Sequence, residues 1–211
     1  MNIKTVKTKA EKIEFVLEDT TIGFANALRR IMINNVPTMA VAYIDFQQNS
    51  SALFDEIISH RVGMIPLTYP VGKFDLVPPG TEDVSSKNQV VFALEKTGPC
   101  IVTSGDLKSS NKDVQPTSPD FPIVELLKGH SLKFEAVAHL GLGKDHARYQ
   151  AAIAAYDYSP APKEGPVKTE PTAFRFRVES VCGLGPEQVV TEAAKIMEER
   201  TTELKQAAVK M

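Results

Sequence analysis

One apolar stretch constrains the fold of this chain most: residues 21–37, TIGFANALRRIMINNVP, have the periodicity of an α-helix. At ~100° per residue, several apolar side chains fall within an arc of roughly 160°, which is wider than the ~100° stripe of a helix that covers one core. We therefore expect this helix to cover its own sheet and also to pack against a second polypeptide. A buried core helix is the alternative that fits the same pattern. The residues in the arc are Phe24, Ala25, Ala27, Leu28, Ile31 and Met32.

The same helix has a polar edge. Asn26, Arg30 and Asn34 recur at helical spacing, and Arg29 projects among a second, smaller apolar group. If the apolar arc faces a partner, Arg30 is free to contact a further polypeptide. One of the two threonines before the helix is placed to cap its N-terminus, and Pro37 ends it.

The composition is that of an ordinary globular protein. Hydrophobic residues make up 43% of the 211 residues and charged residues 24%. No apolar run approaches the ~20 residues of a membrane span, and the N-terminus lacks the apolar segment of a signal peptide, so we expect a cytoplasmic protein, or a nuclear one in a eukaryote. A net charge of −2 argues against a surface devoted to nucleic-acid phosphates.

Two polar breaks predict the domain organisation. QQNSS at 47–51 is short, whereas SPAPKEGPVKTEPT at 159–172 is proline-rich and lacks apolar periodicity. We expect an α+β protein in which residues 1–46 and 172–211 form one discontinuous α/β domain. An inserted, mainly β domain occupies residues 47–171 and ends in the linker 159–171.

Hydrophobic periodicity places the remaining elements. Alternating residues predict β-strands, and Gly185–Pro186 is typical of the start of a helix, here the last one. A short helix at Leu53–Val62 is followed by Gly63, which is placed as a left-handed C-cap before a strand at 64–67. The other predicted strands are 2–8, 12–18, 39–46, 89–95, 100–103, 131–139, 151–158 and 173–181.

The sequence contains no recognisable catalytic constellation. Gly141, Gly143 and Lys144 resemble part of a nucleotide-binding loop, but the remaining P-loop positions do not match, which favours a tight turn. The histidines at 60, 130, 139 and 146 lack zinc-ligand spacing, and Cys100 and Cys182 form no CxxC motif. We therefore predict a binding or structural subunit, without catalytic residues or a metal, rather than a self-sufficient enzyme.

Five segments resemble, in the same order, those of one known family. Together they are similar to the α-like, Rpb3-type subunits of DNA-directed RNA polymerase, most of all to the archaeal D-type members. The resemblance runs nearly from end to end of the chain. The segments are FANALRRIMINNVP, DEIISHRVGMIPL, GPCIVTSGDL, GHSLKFEAVAHLGLGKDHARY and FRVESVCGLGPEQVV.

The resemblance implies a non-catalytic assembly subunit of the polymerase, a nucleotidyltransferase complex active in transcription. Family members heterodimerise with a small α-like, L-type subunit through a discontinuous dimerisation domain, and the pair forms the platform on which the large catalytic subunits assemble. Small zinc-binding subunits are further candidate partners, whereas neither a membrane nor nucleic acid is expected to bind directly. We expect the interface with the small subunit to contain Phe24, Ala27, Leu28, Ile31, Met32, Val190, Ala193, Met197 and Leu204.

The resemblance also implies docking sites for the second-largest and largest polymerase subunits. We expect Arg30 to make a charge-assisted contact with the second-largest subunit. A second docking edge is predicted around the short helix, although a helix cap that leads into a strand would explain Gly63 equally well. The expected docking residues are Asn26, Arg29, Arg30, Arg61, Gly63, Ile65 and Pro66.

No cofactor is expected. Some relatives hold an iron–sulfur cluster in an additional cysteine-rich segment, or zinc through cysteines in a loop of the insert. This chain has Thr81, Glu82 and Asp83 in the corresponding loop, and a proline-rich linker without cysteine at 159–172. The ligand cysteines are therefore missing.

Two other functions remain open. A homodimeric interaction protein, unrelated to polymerase, would use the same long helix, and the mass of the native complex separates this alternative from a heterodimer. A small hydrolase or transferase would place His139 and His146 near the turn at Gly141 and Gly143. It predicts that the isolated protein turns over a substrate and that His146→Ala abolishes the turnover.

Overall fold

The structure is a computed structural model that describes residues 1–76, 88–159 and 172–210. Within these ranges the chain combines antiparallel sheets with helices, which confirms the predicted α+β class. The helices are α1 (Ile22–Asn34), α2 (Asp55–Gly63) and α3 (Pro186–Val209). The strands are β1 (Asn2–Thr8), β2 (Lys12–Glu18), β3 (Thr38–Asn49), β4 (Gln89–Thr97), β5 (Cys100–Thr103), β6 (Lys108–Ser109), β7 (Pro122–Leu126), β8 (Ser131–Gly141), β9 (Ala152–Tyr158) and β10 (Phe174–Ser180).

The described residues divide into two compact units. The first contains residues 1–36, 142–144, 150–159 and 172–210, and the second contains residues 37–76, 88–141 and 145–149. These units differ from the predicted domains in three places, because β3 belongs to the second unit, whereas residues 142–144 and the segment that contains β9 belong to the first. Strand pairing is the reason: β3 pairs with β8 along its length and β9 pairs with β10, whereas the polar breaks mark only changes in composition.

The first unit is a four-stranded antiparallel sheet with helices packed on it. The strand order is β1-β2-β10-β9, and α1 contacts β9 while α3 contacts β2 and β10. The predicted alternation is confirmed in β10, whereas in β2 Val16 is buried as well as its neighbours. Phe15 and Phe176 are 2% and 0% exposed. Their rings stack with centroids 5.0 Å apart, and Tyr156 packs edge-on against Phe174 at 5.4 Å. These aromatic side chains form the centre of the core of this unit.

The ends of the helices in the first unit follow the sequence signals. Thr21 caps α1, because its Oγ1 accepts a hydrogen bond from the Phe24 amide at 3.3 Å. Helix α3 begins with Pro186, and the Gly185 amide donates to Gln188 Oε1 at 3.0 Å. No described helix combines the length and the hydropathy that a bilayer span needs.

Residues 142–144 return to the first unit and close the end of α1. The Lys144 amide donates to the Asn34 carbonyl at 3.1 Å, which satisfies one of the carbonyls that the end of a helix leaves unpaired. A Cβ atom at Gly143 would lie 2.6 Å from the Ile33 carbonyl oxygen. Glycine at this position therefore serves a close approach of two backbones, not a phosphate site.

The second unit contains one four-stranded and one two-stranded antiparallel sheet. The first has the order β3-β8-β4-β6, and the second pairs β5 with β7. Helix α2 packs against β3 and β7. The sequence analysis missed β6 and β7, because β6 has only two residues and β7 begins with a proline.

The end of α2 differs from the prediction. Gly63 is the last residue of the helix and has no positive φ, so the predicted left-handed C-cap is wrong. A Cβ atom there would lie 3.4 Å from Arg148 Nη1 and 3.5 Å from the Val41 carbonyl oxygen. Both distances are ordinary van der Waals contacts, so packing does not require glycine at this position. Instead of a strand at 64–67, the structure has an isolated bridge between Leu67 and Pro116.

Candidate subunit interface

An apolar groove, here called the α1–α3 groove, opens on the first unit. It has a volume of about 370 Å³ and is formed by α1, α3, β2 and the N-terminal end of the chain. Nearly all of its surface is hydrocarbon, and its two polar side chains belong to α3. The lining residues are Met1, Ile3, Phe15, Leu17, Phe24, Leu28, Val190, Ala194, Met197, Glu198 and Thr201.

The sequence of α3 creates one wall of this groove. Val189 and Ala193 are fully buried, whereas their neighbours Val190, Ala194 and Met197 line the groove. Two apolar lines therefore run along adjacent faces of the helix, and only one of them is covered by the chain itself. An apolar surface of this kind is typical of a protein–protein contact.

The residues predicted for the partner interface fall into three groups. Phe24, Leu28, Val190 and Met197 line the α1–α3 groove, although Leu28 is only 6% exposed. Leu204 is 70% exposed farther along α3. Ile31, Met32 and Ala193 are 6%, 0% and 0% exposed, so they belong to the core of the chain itself. Ala27 is half-buried beside them.

The sequence analysis missed the part of the groove that the N-terminal strand contributes. Met1 and Ile3 are 67% and 60% exposed, and both line the groove together with Phe15 and Leu17. The sequence alone did not indicate this, because the face on which Ile3 lies follows from its pairing with Leu17 in the register of β1 and β2. A residue opposite an inward-facing leucine on the neighbouring strand lies on the same face of the sheet.

The two arginines of α1 have different surroundings. Arg29 Nη2 donates a hydrogen bond to Asn26 Oδ1 at 3.0 Å. Arg30 is exposed, and within the described residues no hydrogen bond or ion pair involves its side chain. Its guanidinium group is therefore available to a carboxylate of another polypeptide.

The residues of the second predicted docking edge make most of their contacts within the second unit. Arg61 Nη1 donates to the Ile123 carbonyl at 2.8 Å, Gly63 and Ile65 are buried, and the Pro66 carbonyl accepts from the Thr117 amide at 3.0 Å. These residues hold α2 and the following segment in place. The exposed apolar residues around this helix are Phe54, Ile57 and Met64, which the sequence analysis did not single out.

The histidines near the Gly141 turn have structural partners. His146 Nδ1 accepts hydrogen bonds from the Arg148 amide at 3.0 Å and from Arg148 Nε at 3.2 Å. Burial lowers the pKa of His146, and the charges of Arg148 and His60 lower it further. His139 Nδ1 lies 2.9 Å from the Leu140 carbonyl oxygen.

Arg148 connects this turn to β3. Its Nη1 donates to the carbonyls of Val41 and Ala42 at 2.7 and 2.8 Å. The ring of Tyr149 fills the space next to Gly141, where a Cβ atom would lie 2.6 Å from the ring. Packing and hydrogen bonds within the protein therefore account for the residue types of this turn, and a substrate is not needed to explain them.

Within the described residues, no group of three or more His, Cys, Asp or Glu side chains is placed to hold a metal ion. The loop residues Thr81, Glu82 and Asp83 and most of the proline-rich linker lie outside the described residues. Burial raises the pKa of the Cys182 thiol, which keeps it protonated.

Comparison with known proteins identifies the family. Residues 14–201 match the RNA polymerase Rpb3/Rpb11 dimerisation domain. The chain is 49% identical over 158 residues to DNA-directed RNA polymerase subunit Rpo3 of Pyrococcus horikoshii, a region that covers 75% of this chain and 60% of the relative.

Other relatives give the same result. Identity is 48% over 158 residues to Rpo3 of Pyrococcus furiosus, with 75% of this chain and 59% of the relative covered. Rpo3 of Methanothermobacter thermautotrophicus is 40% identical over 159 residues, with 73% and 60% covered. The matched region thus spans about 60% of the length of these relatives. The chain belongs to the family of the RNA polymerase Rpb3/Rpb11 dimerisation domain.

Proposed function

We propose that this protein is a non-catalytic assembly subunit of a multisubunit DNA-directed RNA polymerase, of the archaeal D type. It heterodimerises with a small α-like, L-type subunit, and the pair forms the platform for the large catalytic subunits. The observation that carries this proposal is the α1–α3 groove, because most of its lining residues lie within the matched dimerisation domain and it is almost entirely apolar. The homologues' description as polymerase subunits supports it.

The chemistry of the groove defines the kind of partner that fits it. Phe24, Leu28 and Met197 present hydrocarbon to the groove, and Glu198 lies at its edge. Buried aromatic and aliphatic anchors surrounded by polar groups are the usual arrangement of a stable protein interface. A partner of the same family would insert apolar residues of its own first helix here, in a pseudo-twofold arrangement.

Three further roles complete the proposal. Asn26, Arg29 and Arg30 dock a large subunit through the polar edge of α1, with Arg30 on the second-largest subunit. Around α2, the exposed side chains of Phe54, Ile57 and Met64 provide the contact surface of the second docking edge, which Arg61, Gly63, Ile65 and Pro66 support from within. Small zinc-binding subunits are further partners of the assembled complex. The protein itself needs no iron–sulfur cluster or zinc, binds nucleic acid only through the complex, and acts in the cytoplasm.

A single charge placed in the groove tests the proposal. Met197→Glu would leave a carboxylate in an apolar interface, which is costly because nothing there neutralises it. We expect the variant to fold but to lose the small α-like subunit on co-expression and size-exclusion chromatography. Thr202→Glu is the matched control, since Thr202 is exposed on another face of α3.

The same measurement separates the alternatives. Native mass spectrometry of the wild-type protein with the small subunit is expected to give a one-to-one heterodimer. A homodimer that excludes the small subunit would favour the homodimeric alternative instead. Retention of the small subunit by a folded Met197→Glu variant would contradict the assignment of the groove as the interface.

A further inference from the structure

The outer edge of β9 has backbone groups without partners. Two hydrogen bonds at the ends of the β9–β10 pair show which residues of β9 direct their backbone groups towards β10. The Ser159 amide donates to the Ala173 carbonyl at 2.9 Å, and the Val181 amide donates to the Ala151 carbonyl at 3.1 Å. Because bonded and non-bonded pairs alternate along an antiparallel ladder, the odd-numbered residues of β9 pair with β10. The even-numbered residues point their amides and carbonyls away from it, at Ala154, Tyr156 and Tyr158.

This edge opens into a groove, here called the β9 groove. It has a volume of about 700 Å³ and lies in the first unit between residues 154–158 of β9 and the side chains of Asn26 and Arg29 on α1. Within the described residues, no hydrogen bond reaches the outward backbone groups of Ala154, Tyr156 or Tyr158. The groove therefore has a row of unpaired donors and acceptors along one wall.

The opposite edge of the same sheet, strand β1, is protected against pairing with a further strand, whereas β9 is not. Strand β1 carries Lys4 and Lys7 and has a register shift between Thr5 and Lys7, which are standard devices against the addition of another strand. Strand β9, with the sequence AIAAYDY, has no lysine, proline or register shift. One edge of the sheet is thus closed to further pairing and the other is suited to it.

The other wall of the β9 groove carries an unbalanced positive charge. Arg29 donates to the neutral amide of Asn26, and within the described residues no carboxylate lies within ion-pair distance of it. The nearby Asp157 forms an ion pair with Arg177. Arg29 is therefore free to bind a carboxylate bidentately from inside the groove.

We propose that an extended segment of another polypeptide, with an acidic side chain, adds to β9 as a further strand. Its backbone pairs with the outward groups of Ala154, Tyr156 and Tyr158, and its carboxylate binds Arg29. At ~3.4 Å per residue, a segment of about five to seven residues spans these groups. The inference rests on the proposed function in one respect, since that function makes a large polymerase subunit the source of the segment.

Residue-resolved amide hydrogen exchange tests the strand addition. In the isolated protein we expect the outward amides of Tyr156 and Tyr158 to exchange rapidly. The inward amides of Ala155 and Asp157 pair with β10, so we expect them to be protected and to serve as an internal reference. In the complex with the small α-like subunit and the large subunits, we expect the outward amides to slow by about tenfold or more. Unchanged exchange in an assembled complex would overturn the inference, as would protection already present in the isolated protein.

Two substitutions of Tyr158 distinguish the loss of a backbone hydrogen-bond donor from the loss of the side chain. Tyr158→Pro removes an outward donor, and Tyr158→Ala removes the same ring but keeps the donor. We expect the proline variant to bind the large subunits about threefold to tenfold more weakly than the alanine variant, as fits one hydrogen bond. Arg29→Gln is expected to weaken binding further, with Arg29→Lys intermediate. Equal affinity of the two Tyr158 variants would contradict the proposal.

A peptide distinguishes failure of the inference from failure of the proposed function. If the large subunits do not assemble with this protein, the proposed function is refuted. A blocked hexapeptide of alternating valine and threonine with one central glutamate then tests the edge directly by NMR. Shifts of the Tyr156 and Tyr158 amides, reduced when lysine replaces the glutamate, would support strand addition, and no shift at millimolar peptide would refute it.

Discussion

Two methionines test the division between the core of the chain and its partner interface. Met32 is 0% exposed within the first unit, whereas Met197 is half-buried and lines the α1–α3 groove. Because Met32→Ala removes buried atoms and leaves a cavity, it should lower the free energy of unfolding by about 2–5 kcal/mol. Met197→Ala should lower it by about 1 kcal/mol or less.

For binding of the small α-like subunit, Met197→Ala should have the larger effect and Met32→Ala the smaller one. Met197→Ala removes an anchor from the interface, and we expect it to weaken binding of the small α-like subunit by about 1–2 kcal/mol, which is roughly fivefold to thirtyfold. Met32→Ala should change the affinity little, provided that the protein is measured under conditions where it is folded.

Urea unfolding followed by circular dichroism gives the stability of the isolated chain, and calorimetric titration with the small subunit gives the affinity. If Met197→Ala destabilised the isolated chain as much as Met32→Ala does, the groove would be part of its own core. If it left the affinity unchanged, the α1–α3 groove would not be the partner interface.

Three further predictions follow from single side chains. Arg148→Met removes two charged hydrogen bonds to the carbonyls of β3 and should lower stability to urea by about 2–3 kcal/mol, with Arg148→Lys less affected. The pKa of His146 is lowered in the folded state. The stability that His146 contributes is therefore present above its unfolded-state pKa and is lost as the pH falls through its folded-state pKa. His146→Gln should reduce this loss, measured as the fall of the urea midpoint at acid pH. Arg30→Ala should leave the heterodimer intact but reduce pull-down of the second-largest subunit, with Arg30→Lys intermediate, and undiminished recovery would argue against that contact.

Periodicity and capping predict much of the first unit. In β10 the alternation of Phe174, Phe176 and Val178 with charged residues gives one buried face, and the same signal places β2. Thr21 and Pro186 mark the starts of α1 and α3. These signals are local, since each depends on residues a few positions apart, and this is why a single sequence contains them.

Features that depend on distant partners were not predictable in this way. Arg148 binds the carbonyls of Val41 and Ala42, which lie far earlier in the chain, and β7 is defined by its pairing with β5. The arc of α1 is also ambiguous by itself, because Ile31 and Met32 prove to be covered by the first unit while Phe24 lines the groove. Only the packed sheet decides which residues of a wide apolar arc remain available to a partner.

The outer part of α3 has a consequence for how the protein meets its partner. Ala193 is the last buried residue of this helix, and residues 201–210 are all exposed, including Leu204. A short helical end that packs against nothing frays in water. Docking of a partner along this face would convert a fluctuating end into an ordered one, so part of the contact energy is offset by lost chain entropy. Helical content should therefore rise on complex formation, which makes the far-ultraviolet spectrum a reporter of assembly.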